Sequence, residues 1–597
     1  MSNSLFRTKK IENILAEGSD DPHGGGGLTR VLTVRDLTFF GIAAILGAGS
    51  FSSLGYAVFH GGPGVVILFI ITGIACAFTA LCYSEFASRI PVAGSAYTYA
   101  YASFGELFAW VIGWALIMEY SIGNIYVAYS WSDYFTSLLD KSSLVSFKFL
   151  GYSFVTPNLH IPEYFSTSYM EAKHAIERGS TNADELAAWN NAPVVGGLRM
   201  ILDLPALIIN FLITYLVYRG IKESRNFSNV MVILKIAVVT LIIIVGGYLI
   251  FSNGLTANWT PPDDAGVKSF MPNGFSGVML AVASVFFAYI GFDAVSVLAE
   301  ESKNPQKDLP RGMILSLVIC TVIYILLTLV LTGAVNYRNF DGVGDPLAFI
   351  FEPQNLNVGW MQFLVAVVAV VAMTSVLLVF QMGQPRIWMS MSRDGLMPPV
   401  FQKIHPKFKT PSFATIITGL VVGVPILFTD KTFVLDFTSI ATLFAFVLVC
   451  GGVLLIPRKE KIGGRFHLPY INGQFIFPLI VVASIITAWL LSKTYFSDLL
   501  NFDFSSNEDY TAGNKTFMDM AIPNISLIIF WLSAVLLAIF AFIKKYSLIP
   551  LMGVITCIYL LTGMSKSNWV WFIGWLALGI IIYFLYGYKK SKLAEKK

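Results

Sequence analysis

Charge is scarce in this chain: only 13% of its 597 residues are Asp, Glu, Lys or Arg, about half the share of an ordinary soluble domain. With 56% hydrophobic residues and a mean hydropathy of +0.69, a water-soluble globule is excluded. The six histidines are scattered and no pair has metal-ligand spacing, so no metal site can be argued. A GxxxxGK[ST] loop is missing, which removes the basis for ATP-driven transport. The five cysteines (Cys76, Cys82, Cys320, Cys450, Cys557) all fall in apolar runs, where a free thiol behaves as a small buried hydrophobe. Neither disulfides nor a disulfide-linked heavy chain are expected. Residues 1–35 lack the basic-then-apolar pattern and cleavage site of a signal peptide; they read as a retained cytoplasmic arm with a flexible joint at Gly24–Gly27.

What is abundant is apolar sequence in runs of about 20 residues, each able to cross a hydrocarbon core of roughly 30 Å. They fall near 37–59, 64–88, 105–132, 201–219, 229–251, 275–300, 313–335, 358–382, 411–429, 433–456, 474–493, 523–543, 546–563 and 568–588. The fold class is therefore an all-α integral membrane protein with about fourteen transmembrane helices. With both termini inside, about 28 Lys and Arg lie in cytoplasmic segments against about 11 outside. A missed span would reverse the sign of every later loop, so this bias also supports the count. The basic loops are short topology determinants, and no nucleic-acid partner is expected. The one long outer loop, 133–200, reads as a cap.

The first and sixth spans carry glycine or unpaired polar groups at mid-membrane: Gly47-Ala48-Gly49-Ser50 in one, Phe287-Ala288-Tyr289-Ile290-Gly291-Phe292-Asp293 in the other. Each reads as a broken helix. They are five spans apart, and five is odd, so two successive five-helix units must have opposite topology. Residues 36–251 form the first inverted repeat, 252–456 the second, 457–588 four further helices and 589–597 a basic tail. Broken helices in matching positions point to a substrate site at the bilayer midplane.

Amide N–H groups exposed around Ile45, Gly47, Ala48, Gly49 and Ser50, with the half-helix dipole, suit a carboxylate. Carbonyls freed near Phe287, Ala288 and Ile290 suit an ammonium, and together the breaks fit an α-amino acid. Phe286, Phe287, Tyr289 and Phe292 are gate candidates. The plainer readings are tight helix packing at the glycines and ordinary aromatic packing. Three charges lie well inside the membrane: Glu119, Asp293 and Lys235. The carboxylates are candidates for a cationic substrate side chain or for a packing pair. Lys235 is the candidate for proton coupling, with a snorkelling lysine as its alternative. Glu85, Glu300 and Glu301, nearer span ends, read as interfacial.

The chain resembles the cationic amino acid transporter family of the amino acid–polyamine–organocation superfamily. The resemblance rests on Phe6-Arg-Thr-Lys-Lys-Ile-Glu, Tyr83-Ser-Glu-Phe-Ala, Pro91-Val-Ala-Gly-Ser-Ala-Tyr-Thr-Tyr, Gly113-Trp-Ala-Leu-Ile-Met-Glu-Tyr, Phe286-Phe-Ala-Tyr-Ile-Gly-Phe-Asp, Asn304-Pro-Gln-Lys-Asp-Leu-Pro, Gln384-Pro-Arg and Ser392-Arg-Asp-Gly-Leu. It implies the inverted five-plus-five fold of the leucine transporter, with the substrate carboxylate on the first-helix glycines and the amine near Phe287, Ala288 and Ile290. It places Glu119 and Asp293 near the substrate side chain, and Lys235 where sodium sits in sodium-coupled relatives, so that a proton is the coupling ion. Ala48-Gly49-Ser50-Phe51-Ser52-Ser53 is more polar than the family's usual Thr-Gly-Ile-Phe-Val-Leu, and Met373 with Thr374 is placed to set pocket size, so the amino acid stays open. The expectation is a proton-coupled amino acid transporter of the bacterial cytoplasmic membrane, with membrane lipid around it and room for a small single-span subunit. A polyamine carrier, an amino acid exchanger and a non-transporting sensor are the alternatives; an enzyme is not expected.

Overall fold

The computed structural model describes residues 5, 7–9, 32–47, 49–91, 95–141, 147–149, 152–154, 160–177, 183–220, 224–263, 266–408, 410–455, 466–505 and 516–595. Gly24–Gly27, Ala48 and parts of the 133–200 loop lie outside them. Every hydropathy run contains a helix, and spans are named below by their order in that list. Among the described residues nine helical segments are long and apolar enough to cross a bilayer, ten with one bent pair. The segment Val34–Arg89, 56 residues long, holds the first two runs, and Leu204–Arg219, Ser412–Ile426 and Leu548–Leu561 are apolar but shorter. The protein is a multi-pass, mostly helical membrane protein.

Local chemistry sets where several helices begin. Thr33 caps the first span by donating its backbone N–H and its hydroxyl to Asp36 (2.9 and 2.6 Å). Asp203 accepts the Ala206 N–H at 3.0 Å, with Pro205 in the first turn of the fourth span. The third span, Glu106–Lys141, is the central pillar: 89% of its apolar window is buried, against 11% in the eleventh, Gly473–Leu491. It packs along the eighth span, Gly359–Arg393, and the tenth, Lys431–Leu455. The seventh, Pro305–Ala334, packs against the first and second. In a bilayer the eleventh span's outward Phe475, Leu479, Leu490 and Leu491 meet lipid rather than water.

One face carries the cap. It comprises two short hairpins, Phe147–Phe149 with Tyr152–Phe154 and Val194–Val195 with Leu198–Arg199, and the helices Tyr169–Glu177 and Ala183–Asn190. Ala172, Ala188, Ala192 and Ile201 give it a small core of its own. The opposite face gathers both ends of the chain. Lys9 pairs with Asp394 at 2.7 Å, and Glu106 accepts hydroxyls from Tyr583, Ser591 and Tyr101 at 2.9, 2.6 and 3.2 Å. All five cysteines are buried free thiols.

Candidate functional site

The first helix runs regularly from Val34 to Ile45 and then changes register. In a continuous helix the Gly47 N–H would reach Ala43; here it donates to Ile45 at 2.9 Å. The chain resumes as a wide turn, Gly49–Ser53, and a second half-helix, Leu54–Gly61. The carbonyl of Ala43, released by that change, accepts Lys235 Nζ at 3.2 Å. Lys235 is fully buried on the fifth span, Ser224–Ser252, and its ammonium stands at the negative end of the half-helix. The N–H groups of Ser50 and Phe51 go to the Gly47 carbonyl (3.1 and 3.0 Å), and Ser50 Oγ donates to that same oxygen at 3.0 Å. A substrate carboxylate therefore has to meet the backbone beside Gly49 or displace these bonds.

The sixth span bends by 46° at Ala281, a feature with no glycine or proline to announce it, and breaks after Tyr289. Ile290 is extended (φ −60°, ψ 134°) and Gly291 has φ +122°, a conformation that glycine alone adopts without strain. The chain continues as a tight 3₁₀ segment, Asp293–Glu301. The two breaks touch. A Cβ on Gly49 would lie 2.5 Å from Ala288 Cα, and one on Gly291 would lie 2.7 Å from Ala44 Cβ. Ser284 Oγ donates to the Ser53 carbonyl at 2.5 Å, while Ser53 Oγ donates to the Gly49 carbonyl at 2.7 Å and lies 3.3 Å from that of Ser284. Tyr324, on the seventh span, places its hydroxyl 2.7 Å from the carbonyl of Ile45 and 2.7 Å from that of Ala288. Sequence reasoning passed over Tyr324. Its signal was the one phenol in a run whose other hydroxyls, on Ser316, Thr321, Thr328 and Thr332, can bond back to their own helix, whereas a phenol must find a partner elsewhere.

The gate candidates separate. Phe286 and Phe292 pack on Phe446, and Tyr289 donates to the Phe69 carbonyl at 2.8 Å, so these three build the core. Phe287 alone meets Tyr126 edge to face, centroids 4.7 Å apart, above the break. Lys431 Nζ lies 5.7 Å from the centroid of the Tyr126 ring and is ion-paired with Asp133. Gly47 faces Val376 of the eighth span, one turn beyond Met373, while Thr374 accepts the Trp131 indole N–H at 3.0 Å.

Glu119 and Asp293 are each 1% exposed, and each has one carboxylate oxygen without a hydrogen-bond partner. They are close enough to repel one another. Tyr83 and Tyr120 lie within electrostatic reach of both carboxylates, and their hydroxyls also lack partners. Such a concentration of unsatisfied buried polar atoms is costly unless something else occupies it for part of the time. Glu85, by contrast, is paired with Arg89 at 2.5 Å and accepts the Leu468 N–H at 2.7 Å, an interfacial arrangement. The side chains of Glu300 and Glu301 are outside the described set. Every described site residue is buried, so none of them is open to either face in this arrangement. Among the described residues no three His, Cys, Asp or Glu side chains converge as a metal site would require.

Comparison with known proteins agrees with this architecture. A family model described as amino acid permease matches residues 32–497, and one for the C-terminus of such permeases matches 546–591. The branched-chain amino acid permease BcaP of Bacillus subtilis is 34% identical over 100% of both chains. The methylthioribose transporter of the same organism is 35% identical over 99% of both. The vacuolar cationic amino acid transporter 2 of Arabidopsis thaliana is 30% identical, covering 99% of this chain and 94% of its own. The chain belongs to the amino acid permease family of the amino acid–polyamine–organocation superfamily.

Proposed function

We propose that the protein is a secondary active amino acid transporter of the bacterial plasma membrane, working by alternating access with a proton as coupling ion. Fourteen helices cross the membrane, both termini are inside, and the first ten form two inverted repeats of five. The observation that carries the reading is the direct contact of two broken helices at glycines, which brings the backbones of both breaks to one point; there the Phe287 carbonyl accepts the Ile290 N–H at 3.1 Å and that of Ala288 the Tyr324 hydroxyl at 2.7 Å, bonds that a substrate ammonium shares or displaces. The substrate carboxylate binds along Gly47 to Ser50, its ammonium at the carbonyls of Phe287, Ala288 and Ile290, and its side chain lies toward Glu119 and Asp293. Phe287 and Tyr126 close above it. Lys235 carries the coupling proton: in its ammonium form it holds the Ala43 carbonyl, and loss of the proton weakens that tie and frees the first half-helix.

The relatives named above support an amino acid substrate, although one is named for methylthioribose, a sugar without an amine. The test is uptake of radiolabelled leucine, alanine, arginine and methylthioribose into proteoliposomes, with and without an inward proton gradient. Gradient-driven accumulation of an amino acid is expected. Binding without uptake would make the protein a sensor, and uptake of methylthioribose alone would overturn the amino acid reading. Uptake that requires amino acid inside would replace symport by exchange.

A further inference from the structure

On the face that gathers both ends of the chain, the second span, Val65–Arg89, and the tenth end beside the start of the thirteenth, Leu548–Leu561, and a cavity of about 90 Å³ lies between them. Phe86, Val453 and Leu454 line it with apolar surface, and Glu85, Arg89 and Ser547 with polar groups. That volume is well below the roughly 300–1,000 Å³ of small-molecule sites and suits one charged group rather than a whole soluble ligand. Ser547 is the N-cap of the thirteenth span, yet its hydroxyl caps nothing. A serine in that place accepts the N–H of the second or third helical residue; the third is Pro550, which has none, and the bond to Ile549 is not made. Ser547 is only 8% exposed and its Oγ has no partner among the described residues, a costly state for a buried hydroxyl. A hydroxyl donor at the positive end of a 14-residue helix fits an anion. The carboxylate in the wall is already occupied: Glu85 has one oxygen on Arg89 at 2.5 Å and the other on the Leu468 N–H at 2.7 Å. Lys544 and Lys545 directly precede Tyr546 and Ser547, and residues 456–465, which join the tenth span to the segment holding Leu468, carry Arg458, Lys459, Lys461 and Arg465 against Glu460, so this end of the molecule is positive.

We infer that this cavity holds the phosphate of an acidic phospholipid of the inner leaflet. Span ends lie at the depth of the headgroups, where Tyr470 and Tyr546 in the cavity wall are the aromatic residues such an interface favours. Phe475 on the eleventh span and Phe542 and Ile543 on the twelfth, each within two turns of those tyrosines, face outward and offer the acyl chains a surface. The inference takes from the proposed function only the topology that makes this leaflet the inner one. The cavity also sits on a seam. The segment 466–472 is tied to the second span by Ser88 Oγ donating to the Phe466 carbonyl at 2.7 Å and to the seventh by the Phe466 N–H on Gln306 at 3.3 Å. On its other side the Leu548 N–H reaches the Ile471 carbonyl at 2.8 Å and the Tyr470 hydroxyl that of Lys545 at 3.0 Å. A phosphate received between Arg89 and Ser547 adds a tie across the same seam, so the bound lipid stabilises this arrangement of the spans.

The test is lipid binding by the delipidated, detergent-purified full chain, counted by native mass spectrometry during titration with dioleoyl phosphatidylglycerol, dioleoyl phosphatidylcholine or inorganic phosphate. One phosphatidylglycerol is expected to bind at least about tenfold more tightly than phosphatidylcholine, to raise the melting temperature, and to stay bound in the presence of inorganic phosphate. Ser547→Asp keeps a good N-cap while its carboxylate takes the place of the phosphate, so phosphatidylglycerol binding should fall at least about tenfold and its effect on the melting temperature should vanish. Arg89→Gln combined with Glu85→Gln removes both charges of the pair together, leaves an amide to accept the Leu468 N–H, and should weaken binding as well; it keeps the test decisive if Ser547→Asp does not fold. Equal binding of the two phospholipids, or wild-type affinity for phosphatidylglycerol in either folded variant, overturns the site. Displacement by inorganic phosphate makes it a site for a free anion and overturns the lipid as its occupant.

Discussion

Replacing Tyr324 by phenylalanine tests whether the two breaks act as one unit. The hydroxyl lies 2.7 Å from each of two carbonyls and carries one proton, so it serves Ile45 and Ala288 in turn. Phenylalanine keeps the buried ring and its packing on Phe69 and Tyr289, at 5.4 and 5.5 Å between centroids, and removes only the donor. A buried acceptor left without its donor costs about 1–3 kcal/mol. Ile45 retains the Gly47 N–H, so the loss falls mainly on Ala288, and about 1–2 kcal/mol is the better figure. In the proposed alternating-access cycle the shut arrangement lies between two open ones, and the loss then enters the turnover rate. At about 1.4 kcal/mol per decade, Vmax should fall roughly 5- to 30-fold, with a smaller change in KM. The assay is initial-rate uptake into proteoliposomes, normalised to reconstituted protein, with thermal unfolding measured in parallel. Vmax within twofold of the wild type would refute the argument. Tyr324→Leu separates the hydroxyl from the ring, because it also opens a cavity and should lower the melting temperature further.

Three other outcomes follow from the geometry. Gly49→Val places a Cβ 2.5 Å from Ala288 Cα, a backbone atom that cannot swing aside, so binding at the central site should weaken at least about tenfold; equilibrium binding checks this, and unchanged affinity at that site would refute it. Lys235→Met removes the ammonium from the Ala43 carbonyl, and uptake should lose its stimulation by an inward proton gradient; full stimulation in the variant would rule Lys235 out as the coupling group. Glu106→Gln gives three hydroxyl donors an amide in place of a carboxylate, at a cost of about 2–3 kcal/mol, so the melting temperature should fall while uptake per folded molecule holds.

The helices were legible because hydropathy over about 20 residues is the strongest signal a sequence carries, and each run did become a helix. The breaks were legible because glycine and polar atoms at mid-membrane conflict with a regular helix: Gly47, Gly49 and Gly291 stand where the structure departs from one. The bend at Ala281 was not, since it arises where two helical segments adjust to neighbours and no residue type marks it. Long-range polar ties were also hidden. Tyr324, Ser284 and Lys431 reach partners tens to hundreds of residues away, and only packing reveals which of the many hydroxyls and charges meet a freed carbonyl or a counter-ion. Of the four aromatics offered as a gate, sequence spacing could not separate Phe287 from the three that pack in the core, because all four fall within seven residues around one break.

The placement of these ties also bears on how the chain could move. The first and sixth spans are joined at three levels: Lys303 N–H to the Leu32 carbonyl at 2.9 Å just beyond their ends, Tyr324 at the breaks, and the Ser284 hydroxyl to the Ser53 carbonyl. Tyr289 extends this body to the second span through the Phe69 carbonyl. Another set of bonds binds the frame: Gln384 to Ser121 at 2.6 Å joins the eighth span to the third, Gln381 to Asn210 at 2.8 Å joins it to the fourth, Asn210 reaches the Gly419 carbonyl of the ninth at 3.0 Å, and Trp110 reaches Gly579 of the fourteenth at 2.8 Å. Ties between the two bodies on the cap side include Tyr134 to the Phe51 carbonyl at 2.5 Å and Ser439 to the Ala283 carbonyl at 2.7 Å. Each such neutral bond is worth about 0.5–1.5 kcal/mol net, so these two contribute about 1–3 kcal/mol to the contact between the bodies on the cap side. A ligand shifts an equilibrium by its differential affinity for the two states, and one ammonium and one carboxylate bound to backbone groups supply a difference of that size. Bonds within each body are spread over several helices and need not break. Polar ties of that size between two internally tied bodies are compatible with the proposed rocking of the first, second, sixth and seventh spans against the frame.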